Sequence, residues 1–317
     1  MRFPPARSDA SSPRTAVPTT ESAHTGPAWS VARALVVSTR PKQWVKNLLV
    51  LAAPAAAGVV GRPEVLWRVL IAFVAFVLAS SAVYLVNDLL DLEADRAHPR
   101  KRRRPIASGA LPVGVARVAA PVIGLLSLAV ALAGNWQLVL LTAIYLVSSL
   151  AYSVRLKHEA ILDLAFVVIG FLLRAIAGGV AADVRLSAWF VLTTGLGALF
   201  VIAGKRYAEL ELVQGGLTTG RRVLRQYTVS YLRFVWTMAA AALLVTYSLW
   251  AFSVGTSVDD SIWSQISVLP FLLVMMRYAL IIDKGNAGEP EEIVLSDRLL
   301  LGLAACWLAL LLVAVYL

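Results

Sequence analysis

In NDLLDLEAD, residues 87 to 95, an amide and three aspartates recur at intervals that suit one helical stripe. If a helix runs to about residue 97 and is ended by Pro99, then Ser80, Tyr84, Asn87, Asp91 and Asp95 line up, with Asp88 close beside them. Three carboxylates within two turns repel one another unless a cation sits among them. An all-oxygen donor set selects a hard ion such as Mg2+, usually shared with substrate phosphates. The alternative is that these acids only solvate a helix end. That end is a C-terminus, however, where the helix dipole disfavours negative charge. Immediately afterwards comes the run RKRRR, in which Lys101 and Arg104 flank the acidic stripe and could offset the charge of a diphosphate. Such a run also serves as a topological signal beside a membrane span.

Further polar residues fall at related depths. Tyr145, Ser149 and Tyr152 share a face that ends at Arg155 and Lys157. Asp163 and Arg174 lie on one stripe with Gly170 and Gly178. Helix rise puts that acid and base about 16 Å apart, too far for direct pairing, so each needs another partner. In GKRYAEL, Lys205 and Glu209 stand one turn apart around Arg206, a spacing that also fits a surface ion pair. Arg40, Lys42 and Lys46 surround Trp44, where snorkelling to a membrane interface is the plainer reading. The chain contains no GxxxxGKS/T phosphate loop, no HExxH and no Cys/His cluster.

The elements that must position these groups follow from composition. With 59% hydrophobic and 15% charged residues in 317, and a mean hydropathy of +0.75, the chain has too little polar surface to cover a soluble globule. It reads as an all-α, polytopic membrane protein. Apolar stretches at about 44–61, 66–88, 112–134, 136–153, 160–182, 186–206, 229–253, 262–282 and 298–316 give about nine transmembrane helices. A moderately amphipathic segment, 29–40, leads into the first. Residues 1–28, rich in Pro, Ser, Thr and Ala, read as a disordered tail ahead of a membrane-embedded domain over 29–317. Cys306 stands alone and can form no internal disulfide. Lys and Arg concentrate in alternate connections, around 96–104, 155–157, 205–225 and 284. The positive-inside rule then puts the N-terminus, and the acidic stripe, on the cytoplasmic face of a bacterial plasma membrane. The excess of positive charge thus serves the bilayer, no nucleic-acid partner is expected, and a homo-oligomer is compatible with the sequence.

NDLLDLEAD resembles the NDxxDxxxD signature of the UbiA superfamily of intramembrane prenyltransferases. RPKQWVKN (40–47), NDLLDLEADRAHPRKRRRPIASG (87–109), YSVRLKHEAILD (152–163), GFLLRAIAGG (170–179) and GKRYAEL (204–210) are similar to its decaprenyl-phosphate phosphoribosyltransferase branch. The resemblance implies a nine-helix bundle with a cytoplasm-facing cavity. Its ordinary members carry a second motif, DxxxD, where this chain has KRYAEL with a single Glu209. That departure argues against a prenyl diphosphate donor and fits a branch in which the lipid is the acceptor. The implied reaction joins 5-phosphoribosyl 1-diphosphate to polyprenyl (decaprenyl) phosphate and releases diphosphate, feeding lipid-linked precursors of cell-wall arabinan. By this resemblance Asn87, Asp88, Asp91 and Asp95 would hold Mg2+ and orient the diphosphate. Lys46, Lys101, Arg104, Tyr152, Lys157, Arg174, Lys205, Arg206 and Glu209 are the candidates around the phosphates. The rival readings are an aromatic prenyltransferase of quinone synthesis and, in another class, an anion transporter.

Overall fold

The computed structural model describes residues 28–216, 221–253, 258–284 and 296–316; the tail expected over 1–28 therefore lies almost wholly outside the described residues. In chain order the α-helices are α1 (Ala28–Ser38), α2 (Ala52–Ala56), α3 (Pro63–Leu90), α4 (Leu92–Ala97), α5 (Val113–Leu132), α6 (Trp136–Val154), α7 (Leu162–Ala182), α8 (Ala188–Gln214), α9 (Val229–Ser253), α10 (Val258–Ile266), α11 (Val268–Asp283) and α12 (Arg298–Tyr316). Among the described residues there is no strand. Eight helical stretches among the described residues are long and apolar enough to cross a membrane, the seventh of them running Ile262–Asp283 through the junction of α10 and α11.

The first of the nine apolar stretches is built differently from the rest. Residues Pro41–Leu51 form an 11-residue 3-10 helix that passes into the short α2, although such tight helices rarely exceed three or four residues. Three residues per turn explain its burial pattern: Asn47 and Val50 are buried, Lys42, Val45 and Leu48 exposed, and Gln43, Lys46 and Leu49 between the two. The segment is held by its neighbours. At Gly178 of α7 a Cβ would lie 1.8 Å from the Val50 carbonyl oxygen and 2.7 Å from its carbon. Asn47, fully buried, accepts from Arg174 Nε of α7 at 2.8 Å and donates to Ser80 Oγ of α3 at 3.3 Å. Because the obstacle at Gly178 is backbone, no rotamer change relieves it. Gly178→Ala is expected to destabilise the protein by about 1–3 kcal/mol, as overpacking does, read as a lower melting temperature in detergent.

The expected helix through residue 97 is interrupted. Asp91, at φ −92° and ψ 8°, closes α3 and opens α4. Helical pairing nevertheless bridges the break, since the Asp91 N–H reaches the Asn87 carbonyl at 2.9 Å and the Asp95 N–H reaches the Asp91 carbonyl at 2.8 Å. The stripe is interrupted but not cut, so Asn87, Asp88, Asp91 and Asp95 stay at one end of the bundle.

Candidate active site

That end carries two ionic knots. In the first, Asp88 and Asp95, 3% and 2% exposed, share Arg104, whose Nη1 lies 3.1 Å from Asp88 Oδ1 and 2.6 Å from Asp95 Oδ2. Asp88 also binds Arg40. Asp91 is 41% exposed and meets Lys157 Nζ at 2.6 Å. Local structure explains why these cations arrive. Arg40 sits in the left-handed region at φ 55°, which turns the chain between α1 and the 3-10 segment, and its guanidinium lies 4.9 Å from the Tyr84 ring centroid. Arg104 ends a short 3-10 turn, Lys101–Arg103, and the buried Ile106 and Leu111 anchor the chain beyond it. His98 Nδ1 accepts the backbone N–H groups of Arg100 and Lys101 at 3.2 and 3.3 Å, tying the start of that turn to the end of α4.

The second knot joins α6, α7 and α8. Asp163 is fully buried and takes Arg206 as a fork, Nε to Oδ2 at 2.6 Å and Nη2 to Oδ1 at 3.1 Å. Tyr152 donates to Asp163 Oδ1 at 2.8 Å. Arg206 Nη1 reaches Glu209 at 3.0 Å, and Arg221 Nε approaches the same carboxylate at 3.7 Å. The turn that presents Lys157 is pinned from the segment before α9. There Gln226 accepts the Ala160 N–H at 3.0 Å and donates to the His158 carbonyl at 2.8 Å, while the Tyr227 hydroxyl accepts the Ile161 N–H at 2.7 Å.

Lys101 feels the charges of both knots: Arg104, Asp95 and Asp91 from the first and Arg221 from the second. Loss of hydration, and then the Arg104 guanidinium, lower its pKa below the usual lysine value. If its charge holds a phosphate, binding weakens at a less alkaline pH than a free lysine would dictate. Lys101→Arg, charged at every accessible pH, is expected to flatten that alkaline limb in a pH profile of donor binding.

The structure thus brings Asp88, Asp91, Asp95, Lys101, Arg104 and Lys157 together, and gives Tyr152, Arg206 and Glu209 a buried partner in Asp163. Asn87 is half-buried one turn before Asp91. Lys46 and Lys205 are half-buried beside Asn47 and Arg206 in sequence. Arg174 is placed elsewhere: it is buried, bonded to Asn47, to the Gly170 carbonyl at 2.7 Å and to the Tyr145 hydroxyl at 2.8 Å, with its guanidinium 4.7 Å from the Tyr145 ring centroid. The pairing of Asp163 with Arg206, and of Arg174 with Asn47 and Tyr145, supplies the separate partners that their spacing demanded. Arg40, which the sequence offered only as one of the cations around Trp44 and as the first residue of RPKQWVKN, is drawn to the acidic end by the turn that its own positive φ makes.

The donor set at the acidic end has the right chemistry for a hard cation, being all oxygen. Its arrangement does not fit one as it stands: among the described residues no three His, Cys, Asp or Glu side chains gather as a metal-binding group. Each of the three aspartates faces an arginine or lysine instead.

Comparison with known proteins places this geometry. The sequence pattern of the UbiA prenyltransferase family matches residues 48–301. A decaprenyl-phosphate phosphoribosyltransferase of Mycolicibacterium smegmatis is 47% identical over 302 residues, covering 92% of this chain and 95% of the relative. One of Mycobacterium tuberculosis is 48% identical over 289 residues, covering 90% and 95%. Among solved structures, a UbiA homolog from Archaeoglobus fulgidus bound to DMAPP and Mg2+ superposes with a TM-score of 0.68 at 16% identity, over 89% of this chain and 97% of that one. The chain belongs to the UbiA prenyltransferase family.

Proposed function

We propose that this chain transfers the 5-phosphoribosyl group of 5-phosphoribosyl 1-diphosphate to decaprenyl phosphate, releasing diphosphate, at the end of the bundle that carries Asp88, Asp91 and Asp95. The observation that carries the reading is the asymmetry between the two knots. The first holds three carboxylates against three partly exposed cations, Arg40, Arg104 and Lys157, a set able to receive one diphosphate. The second has both its acids, Asp163 and Glu209, engaged by the buried Arg206, so it offers no second acidic cluster of the kind that a prenyl diphosphate donor would use. The names of the relatives point the same way.

In this reading Arg40, Arg104, Lys157 and Lys101 bind phosphate oxygens, and Lys46 and Lys205 complete a cationic rim. Asn87, Asp88, Asp91 and Asp95 offer the oxygen donors that Mg2+ would use to neutralise a leaving diphosphate, in place of the cations that the three aspartates face in this structure. As that group leaves C1 of the ribose, positive character develops there, and the nearby carboxylates favour it electrostatically. The lipid phosphate is already an anionic nucleophile, so no strong general base is needed; positioning supplies most of the acceleration. The site faces the cytoplasm, where a phosphorylated sugar donor is available, while the polyprenyl chain stays in the bilayer. The lipid-linked phosphoribose would supply cell-wall arabinan synthesis. Purified protein in detergent, given radiolabelled donor, Mg2+ and decaprenyl phosphate, is expected to move label into the lipid phase. Label that stays in the aqueous phase, or a prenylated aromatic product from a prenyl diphosphate, would sink this reading.

A further inference from the structure

The two knots are balanced within themselves, three carboxylates facing three cations in the first and two facing two in the second. Lys101, which feels the charges of both, is the surplus: among the described residues it makes no ion pair. It opens the 3-10 turn Lys101–Arg103, where His98 Nδ1 accepts its backbone N–H at 3.3 Å. Arg221 precedes another such turn, Arg222–Gln226. The buried Val223 and Leu224 anchor that turn, and Gln226 ties it to the turn that presents Lys157. Both cations therefore stand on fastened backbone, close enough that the charge of Arg221 acts on Lys101. Arg221 is half-exposed and meets Glu209 only loosely, at 3.7 Å, because that carboxylate is already held by Arg206 at 3.0 Å. Like charges held together on fixed loops repel, and an anion placed against both turns that repulsion into attraction.

We propose that Lys101 and Arg221 form a phosphate-monoester subsite, which takes the 5-phosphate of the ribose whose diphosphate lies against the first knot. A monoester carries about two negative charges near neutral pH and three acceptor oxygens. It can therefore accept from a planar guanidinium and a compact ammonium at once. The donor presents two anionic groups from one sugar, a diphosphate and a monoester, and the surplus charge is matched to the second. The source is a water-soluble sugar and not a lipid headgroup. Both residues are exposed and stand in connections outside the spanning helices, Lys101 after α4 and Arg221 between α8 and α9. The proposal rests on the acidic end being a diphosphate site, and it adds what tells the sugar donor from any other diphosphate. Holding the remote phosphate also fixes the orientation of the ribose, so that C1 is presented to the lipid phosphate.

The test follows displacement of radiolabelled 5-phosphoribosyl 1-diphosphate from the purified full-length protein in detergent, without lipid acceptor so that no turnover occurs. The competitors are ribose 5-phosphate, inorganic diphosphate and farnesyl phosphate, a short lipid monoester. Ribose 5-phosphate is expected to displace the donor from the unsubstituted protein, and unphosphorylated ribose is not. Lys101→Gln and Arg221→Gln are each expected to weaken ribose 5-phosphate by about tenfold or more, the scale of one charge-assisted hydrogen bond. Inorganic diphosphate should be held nearly as before, and Lys101→Arg and Arg221→Lys should restore ribose 5-phosphate. A general disturbance of the fold would weaken both competitors together, so equal losses for the two overturn the subsite. Ribose 5-phosphate that competes no better than ribose overturns it as well. Losses confined to farnesyl phosphate would assign the pair to a lipid headgroup and overturn the sugar assignment. Should the labelled donor not bind at all, the donor reading fails by itself, and phosphorus magnetic resonance of ribose 5-phosphate decides the subsite. Line broadening by the unsubstituted protein that Arg221→Gln reduces sustains a monoester subsite, and no broadening overturns it.

Discussion

Asp91→Ala is expected to lower transfer of label to decaprenyl phosphate on the order of 10^3-fold, the scale on which preorganised electrostatic groups act, while leaving the melting temperature close to that of the unsubstituted protein. The two halves of that expectation have separate causes. Asp91 is half-exposed, its side chain has Lys157 as partner, and it lies at the α3–α4 break with its backbone N–H already satisfied by Asn87. Removing the carboxylate therefore deletes no core contact. It does delete the one aspartate of the set that reaches the open side of the site. An Asp91→Ala protein that inserts, melts normally and still labels the lipid would reduce the acidic stripe to a solvated helix end.

Arg206→Met should have the opposite profile, a large loss of stability. Arg206 and Asp163 are 2% and 0% exposed and share two hydrogen bonds, so the substitution leaves a carboxylate buried with only the Tyr152 hydroxyl. Breaking one side of a buried pair costs about 3–5 kcal/mol, read here as a marked fall in melting temperature and in detergent-extracted yield. The double variant Arg206→Met with Asp163→Asn is expected to recover most of that loss, because the charge is removed with its partner and an amide can still accept from Tyr152. A double variant no more stable than Arg206→Met would mean that packing of the guanidinium, and not burial of charge, dominates. The contrast with Asp91 separates the two knots by role: one tolerates substitution and loses chemistry, the other loses the fold.

Much of this was legible from spacing. The polar stripe over 80–95, the apolar spans and the basic connections are local patterns, and a helix imposes them on its own sequence. The partners were not legible in the same way. Lys157 meets Asp91 and Arg206 meets Asp163 across different helices, and nothing in the periodicity of one helix says which residue of another it faces. Arg206 accordingly read as a phosphate contact and turned out to be buried against two carboxylates. The break at Asp91 was hidden because Leu90-Asp91-Leu92 contains no glycine or proline to announce it. The 3-10 segment was hidden because its apolar residues do not mark its buried face: Asn47 is buried while Val45 and Leu48 are exposed, so the period of three is absent from the hydropathy. An apolar run there reads as one more spanning helix, and only packing against Gly178 and Arg174 reveals the tighter winding.

The tight winding makes the segment a ruler. At about 2.0 Å per residue its 11 residues reach about 22 Å, whereas the same residues wound as an α-helix would reach only about 16 Å. One end is fixed where Val50 lies against Gly178, and the other delivers Arg40 to Asp88. Relaxation to the ordinary α-helix would pull Arg40 back by about one helical pitch, roughly 5 Å, well beyond the reach of an ion pair. Length of backbone, as much as charge, decides whether the first cation arrives at the carboxylates.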